Sequence, residues 1–246
     1  MRTETRASLV SLLIPAYNEE NTVGEVILAA AEIMEIYGFP YEIIVVNDGS
    51  TDRTELVALS TQKAKVLSNE VNRGKGYCIR KAIRFARGKI IVTMDSDGQH
   101  KPKEIPDLLS PLFEGSDVVS GSRFLNSSTN VTTTTNLFGN FLFNISILAL
   151  TGRNVTDSQS GFRALKREVL DKLDLQSEGY EIETEITVKS LRNGFHFKEV
   201  PISIQPRKYG ISRIKLLSDG RKILSTIVRS SISPTENDGS SNSVPM

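Results

Sequence analysis

Apolar and polar residues alternate in blocks along the first hundred residues. Leu9–Ile14 is apolar apart from Ser11 and is stopped by Pro15, the pattern of a short buried strand. Asn21 is placed to cap a helix through about Tyr37, with Val23, Val26, Ile27, Ala30, Ile33, Met34 and Tyr37 at helical spacing and Gly38 as its stop. Tyr41–Asn47 predicts a second strand, closed by Asp48-Gly49-Ser50, after which Asp52 can cap a short helix. Lys65–Leu67 predicts a third strand, Lys75–Ala86 a helix ended by Gly88, and Lys89–Met94 a fourth strand closed by Asp95-Ser96-Asp97-Gly98.

Strands that alternate with helices at short spacing imply right-handed βαβ units and a mostly parallel central sheet flanked by helices, an α/β fold. Such sheets bind ligands beyond the carboxyl ends of their strands. The polar clusters fall at those ends: Pro15–Glu20, Asn47–Asp52, Asn69–Lys75 and Asp95–Gln99.

Beyond Asp117–Ser120 the alternation stops. Asn126–Asn136 is rich in Ser, Thr and Asn and reads as a mobile loop. Leu137–Leu150 reads as an apolar helix, and Gly161–Lys166 as a strand leading into a helix near Glu168–Leu173. Ile182–Leu191 reads as a helix, Phe195–Ile204 as a strand, and Ile211–Ile232 as a long helix interrupted by Gly220. We therefore expect one domain over residues 1–232, with a regularly alternating half (1–100) and a less regular half (101–232), and a disordered polar tail at 233–246.

Composition narrows the class. A length of 246 residues with 39% hydrophobic and 24% charged residues suits a soluble globular fold. A formal net charge of +1 gives no global field for nucleic acid. The single Cys78 cannot form an internal disulfide, and a reducing, cytoplasmic compartment is the simple expectation. Leu9–Ile14 is too short for a signal-peptide core, and no stretch approaches the ~20 apolar residues that span a bilayer. From Lys198 to Arg229 eight basic residues face only Glu199 and Asp219. That balance suits an anionic partner, although alone it describes any solvated helix face.

The chemistry starts at Asp95-Ser96-Asp97. Alternate residues of an extended chain point the same way, so both carboxylates can converge on one Mg²⁺ or Mn²⁺, with Gln99 as a further oxygen. Asp-x-Asp is common in solvated turns, and its position after a buried strand is what favours a metal site. Asp48 follows another such strand and can accept hydrogen bonds from a base or ribose. Neither a G-x-G-x-x-G after the first strand nor a G-x-x-x-x-G-K-[ST] is present, which disfavours dinucleotide and P-loop chemistry.

Four blocks, Ile14–Glu20, Val45–Asp52, Asn72–Gly76 and Met94–Gln99, resemble family 2 glycosyltransferases of GT-A fold, in the family's order. The resemblance implies a donor pocket of Pro15, Tyr17, Glu19 and Asp48, with Lys75 nearby. It implies that Asp95, Asp97 and Gln99 hold the metal and diphosphate. Val119–Phe124, Asp157–Ala164 and Pro206–Arg213 resemble the polyprenyl-phosphate branch, which includes dolichol-phosphate mannose synthase and glucosyl and N-acetylglucosaminyl relatives. That resemblance implies acceptor contacts from Ser122, Arg123, Gln159, Ser160, Arg163 and Arg207. Guanidinium groups suit phosphate oxygens; each arginine can also be a surface ion pair, although the Ser and Gly residues flanking Arg123 and Arg163 favour a binding role there.

The implied reaction passes a hexose from a nucleotide-diphosphate sugar, bound by the half 1–100, to dolichyl or polyprenyl phosphate, bound by the half 101–232. UDP-glucose or UDP-N-acetylglucosamine is favoured as donor, with GDP-mannose as alternative. A lipid monophosphate is already an anion, with a second pKa of about 6, so no protein base is needed, and direct displacement inverts the anomeric carbon. Catalysis would rest on Asp95, Asp97, Arg123 and Arg163. Glu181, Glu183 and Glu185 form an acidic cluster that can orient the sugar, act as base in sugar-acceptor relatives, or face solvent. Leu137–Leu150 and Ile211–Ile232 can lie on the cytoplasmic membrane face or pack on the sheet. A soluble glycan or protein acceptor and a non-catalytic sugar-nucleotide module are the competing readings.

Overall fold

The computed structural model describes residues 8–125, 134–209 and 216–232. Its strands are β1 (Val10–Ala16), β2 (Tyr41–Asn47), β3 (Ala64–Ser68), β4 (Ile90–Thr93), β5 (Val118–Ser122), β6 (Arg163–Lys166) and β7 (Phe197–Pro201). Its helices are α1 (Val23–Ile36), α2 (Thr54–Ser60), α3 (Lys75–Phe85), α4 (Ile105–Phe113), α5 (Thr134–Thr151), α6 (Arg167–Lys172), α7 (Ile182–Arg192) and α8 (Leu216–Ile232). A 3₁₀ turn, Pro102–Glu104, leads into α4.

The strands form one sheet in the order β3-β2-β1-β4-β6-β5-β7. Pairs among β3, β2, β1 and β4 are parallel, β6 runs antiparallel to both β4 and β5, and β7 is parallel to β5. This is the mostly parallel, helix-flanked α/β sheet that the alternation predicts. Successive residues of β1 serve opposite faces. Leu12 and Ile14 join a core with α1 and α4, whereas Leu13 joins one with α3 and α6. A third, smaller core of Ile147, Val155, Val188, Ile223 and Ile227 joins α5, α7 and α8.

Three expectations change. Pro15 does not stop β1, which stays paired with β2 through Ala16↔Asn47. Gly220 does not interrupt α8. Asn21 is not the cap of α1; Thr22 precedes its first turn and donates to Glu19. Arg53 is the residue that precedes α2, and Asp52, one position further back, accepts the Thr54 and Glu20 amides at 2.9 and 3.2 Å. The expected loop at Asn126–Asn136 falls on undescribed residues up to 133, and from 134 the chain is already α5. The polar tail from 233 and the segment 211–215 also lie outside the described residues.

The sheet's far edge is tied by Glu42. One oxygen accepts Ser11 Oγ and the Arg87 amide, each at 2.6 Å, and the other meets Arg87 Nε at 3.2 Å. Burial pushes this carboxyl up, but Ser11 and Arg87 outweigh it and hold it below its ordinary value. A lowered carboxyl pKa stabilises the fold above the unfolded value, and that stability is lost as pH falls towards the folded one. Glu42→Gln should therefore lower stability at pH 7 by about 1–2 kcal/mol. Denaturant melts should find the gap closing below about pH 4.

Candidate active site

The sheet's topology collects one rim. Asp48 follows β2, Asp95–Gln99 follows β4 and Arg123 follows β5. Because β6 is antiparallel, the loop before it, carrying Gln159–Gly161, arrives at the same rim, where Arg163 pairs with Thr93. Pro15, Tyr17, Glu19, Asp48, Lys75, Asp95, Asp97, Gln99, Arg123, Gln159, Ser160 and Arg207 all line one cleft of about 900 Å³.

Two predicted residues do not reach it. Arg163 is 1% exposed, and its donors are taken by Ser160 O, Ser158 O and Thr187 Oγ1 at 2.7, 2.9 and 2.7 Å. Burial lowers its pKa, and its work is to knit the 158–160 loop to α7. It is thus a corrected assignment, not a group that meets an acceptor. Ser122 is likewise fully buried, 2.6 Å from Thr156 Oγ1.

Asp48 organises the rim between β2 and α3. Its Oδ1 accepts Asn69 Nδ2 and the Arg73 amide, and its Oδ2 accepts the Gly74 amide, all at 2.8 Å. The buried Cys78 thiol meets the same carboxylate; burial, together with this charge, pushes the thiol's pKa up. Gly74 has φ +97° and packs against Glu178 O, a conformation and a contact that exclude any side chain. The Tyr77 amide then donates to that carbonyl at 3.1 Å, fixing the start of α3.

Lys75, the first residue of α3, lies between two carboxylates. Its Nζ is 2.5 Å from Asp95 Oδ1 and 2.6 Å from Glu183 Oε1. Burial works against the ammonium, but Asp95 and Glu183 outweigh it and raise its pKa. Burial raises Glu183, while in Asp95 the same penalty is overcome by Lys75 and the carboxyl is lowered. A Cβ at Gly161 would sit 2.6 Å from Lys75 Nζ and 3.0 Å from Asp95 Oδ2, so a larger residue there would press on the ends of both side chains. The three acidic residues of the α7 start separate here. Glu183 lines the cleft, Glu181 accepts the Gly179 amide, and Glu185 accepts the Gln176 and Ser177 amides beside Lys189.

Asp97 faces Arg207, whose NH1 is 3.6 Å from Oδ2 and whose NH2 pairs closely with Glu19. Arg207, expected on the acceptor side, thus bridges Glu19, expected on the donor side, and Asp97. Gln99 donates its amide to Gln205 O at 3.3 Å, leaving its side-chain oxygen as an acceptor. Among the described residues no group of three or more His, Cys, Asp or Glu could hold a metal. Two carboxylates and an amide oxygen still fit Mg²⁺ or Mn²⁺, which complete their shells with water and substrate phosphates.

Arg123 is gripped bidentately by Asp157 at 2.6 and 2.7 Å, and Asp157 is fully buried. Burial opposes the guanidinium's charge, yet Asp157 outweighs it and raises the pKa. The sequence motif contains Asp157 but gives it no role; a carboxylate a short loop from β6 is a signal only once strand order is known. His100 is also missed. Its Nδ1 accepts the Asp95 amide at 3.2 Å, its ring stacks on Phe162, and burial lowers its pKa. Its position directly after Gln99 is the available signal.

Over residues 11–174 the chain matches the model of the family described as Glycosyl transferase family 2. The chain belongs to that family. As a family 2 transferase it is 36% identical over 231 residues to an uncharacterised protein of Methanocaldococcus jannaschii, covering 91% of this chain and 92% of that protein. It is 31% identical to the polyprenol monophosphomannose synthase of Mycolicibacterium smegmatis, covering 85% and 82%. It is 33% identical to the dolichol-phosphate mannosyltransferase of Pyrococcus furiosus, covering 84% of this chain but 59% of that protein. The family 2 fold also superposes on glucosyl-3-phosphoglycerate synthase from Mycobacterium tuberculosis, solved with Mn²⁺, UDP and phosphoglyceric acid. That likeness has a TM-score of 0.72 at 25% identity and covers 96% of this chain and 84% of that one.

Proposed function

We propose that this transferase moves a hexose from a nucleoside-diphosphate sugar to the phosphate of a polyprenyl or dolichyl phosphate, with inversion. The observation that carries the proposal is the pairing of the cleft's acids. Asp95 and Glu183 share Lys75, Glu19 and Asp97 share Arg207, and Asp157 holds Arg123. Each of these carboxylates already faces a cation, so the site suits a nucleophile that arrives ionised. The acceptor oxygen forms the bond to the anomeric carbon, and the nucleoside diphosphate leaves with the electron pair. No proton has to be removed. Arg123 and Arg207 hold the acceptor anion against the donor's charge, with Gln159 and Ser160 beside it, and Lys75 stands next to the diphosphate. Pro15, Tyr17, Glu19 and Asp48 hold the nucleoside. A divalent cation on Asp95, Asp97 and Gln99 would neutralise the leaving diphosphate.

The favoured donors are UDP-glucose and UDP-N-acetylglucosamine. GDP-mannose competes because two relatives carry mannose in their names. A small soluble phosphorylated acceptor is the second reading, favoured by the phosphoglyceric acid of the solved neighbour. The purified protein with Mn²⁺ and farnesyl phosphate would be offered each labelled donor, and butanol-extractable label counted. Label from one donor would establish lipid and sugar together. Donor hydrolysis without extractable label would move the reading to a soluble acceptor.

No described helix is long and apolar enough to cross a membrane. We place the protein peripherally instead. Helix α5 has no charged residue and exposes Phe141, Leu142, Ile145 and Leu148, while the adjoining α8 exposes Leu224, Val228 and Ile232 among Arg221, Lys222 and Arg229. An apolar face ringed by cations fits an anionic bilayer surface. Sedimentation with phosphatidylglycerol vesicles tests this; failure to sediment would refute it.

A further inference from the structure

The segment between α5 and β6 has little regular structure, so its backbone groups must find partners elsewhere. At Thr156 and Asp157 those partners are concentrated. Glu199 on β7 accepts the Thr156 amide at Oε2 and the Asp157 amide at Oε1, at 2.8 and 2.9 Å. Thr156 O accepts Asn140 and Asn144 from α5, at 3.0 and 2.8 Å. The stretch is thus pinned from a strand on one side and a helix on the other. Its product is the position of Asp157, whose two oxygens hold the Arg123 fork.

We infer that Glu199 is a positioning residue for the acceptor phosphate, acting through Asp157 on Arg123. This rests on the reading that Arg123 binds the acceptor anion. The geometry is a relay of two carboxylates. Ser120 of β5 lies opposite Glu199 of β7, so the strand that leads into Arg123 and the strand that carries Glu199 are neighbours. Glu199 does not line the cleft, whereas Arg123 does. Each Glu199 oxygen serves one amide, and both amides belong to the turn that aims Asp157. Glutamine in its place keeps one acceptor oxygen but turns an N–H towards the second amide, which loses one bond and adds a repulsion. The other pins, Asn140 and Asn144, stay in place, so the loop remains folded but Asp157 is no longer held from below. A bidentate guanidinium site is sensitive to such a shift because both of its bonds depend on direction.

The test compares wild type, Glu199→Gln, Glu199→Asp, Arg123→Ala and the double variant Arg123→Ala/Glu199→Gln. Calorimetry would measure affinity for two phosphomonoesters, farnesyl phosphate and 3-phosphoglycerate, which separates a lipid source of the phosphate from a soluble one. The affinity for Mn²⁺ with UDP or GDP, whichever wild type binds, is the control, together with the melting temperature. Glu199→Gln should weaken the phosphomonoester about tenfold, the scale on which residues one step behind a ligand act, and leave the nucleotide affinity unchanged. Glu199→Asp should fall between it and wild type, and the double variant should be no worse than Arg123→Ala alone. Wild-type affinity in Glu199→Gln, alongside a large loss in Arg123→Ala, would overturn the inference and leave the acceptor reading standing. An equal loss of nucleotide affinity would reveal a general structural role and overturn it too. If Arg123→Ala binds both probes as wild type does, or wild type binds neither, the acceptor reading itself falls.

Discussion

Asp97→Ala is expected to lower turnover by about a thousandfold, the loss seen when a group that stabilises developing charge is removed. Asp97 and Asp95 stand at alternate positions after β4, and both side chains line the cleft. Asp95 already carries Lys75 at 2.5 Å, whereas Asp97 meets Arg207 only at 3.6 Å. Asp97 is therefore the carboxylate more readily given to a cation. Its removal leaves Arg207 paired with Glu19 and costs the one bond that Asp97 Oδ1 accepts from the Gln99 amide, so the fold loses little. The expected signature is a melting temperature near that of wild type with no Mn²⁺-dependent gain in nucleotide affinity. Near-full turnover with a continuing need for metal would exclude Asp97 as a ligand.

Much of this site is legible in the chain because three of the first four strands announce themselves. Val10–Ala16, Tyr41–Asn47 and Ile90–Thr93 are apolar runs buried on both faces, and each ends in a polar cluster. A parallel sheet then forces those clusters onto one edge. The second half of the chain is less legible because its site residues depend on strand direction. Arg123 and Arg163 sit in similar Ser- and Gly-rich contexts. Arg123 leaves the end of a strand and enters the cleft, while Arg163 begins an antiparallel strand and points beneath the rim into α7. No local pattern separates them. Helix α4 is also unread, since Pro106 and Pro111 break its pattern; the first sits at the helix start, where a missing amide hydrogen costs nothing, and the second is accommodated inside. Glu199 lies in an exposed-looking run of β7, and its role appears only when residues 156 and 157 are laid against it.

Lys75→Met should damage the protein in a way that metal partly repairs. The substitution leaves Asp95 and Glu183, a lowered and a raised carboxyl, without the ammonium that now lies between them. Removing one partner from a buried ion pair costs about 3 kcal/mol or more. In a chain of this size that is a fall in melting temperature of roughly 10 °C, measured in EDTA. The same change removes the cation that competes for Asp95. Mn²⁺ should therefore raise the melting temperature of Lys75→Met by more than it raises that of wild type, although the variant turns over poorly for want of a charge beside the diphosphate. Adding Glu183→Gln should recover much of the lost stability, because the carboxylate left without a partner is then gone. If Mn²⁺ stabilises both proteins equally, Lys75 and the metal do not share Asp95. The ion pair would then be a support for α7, and Lys75 would have no part in the donor site.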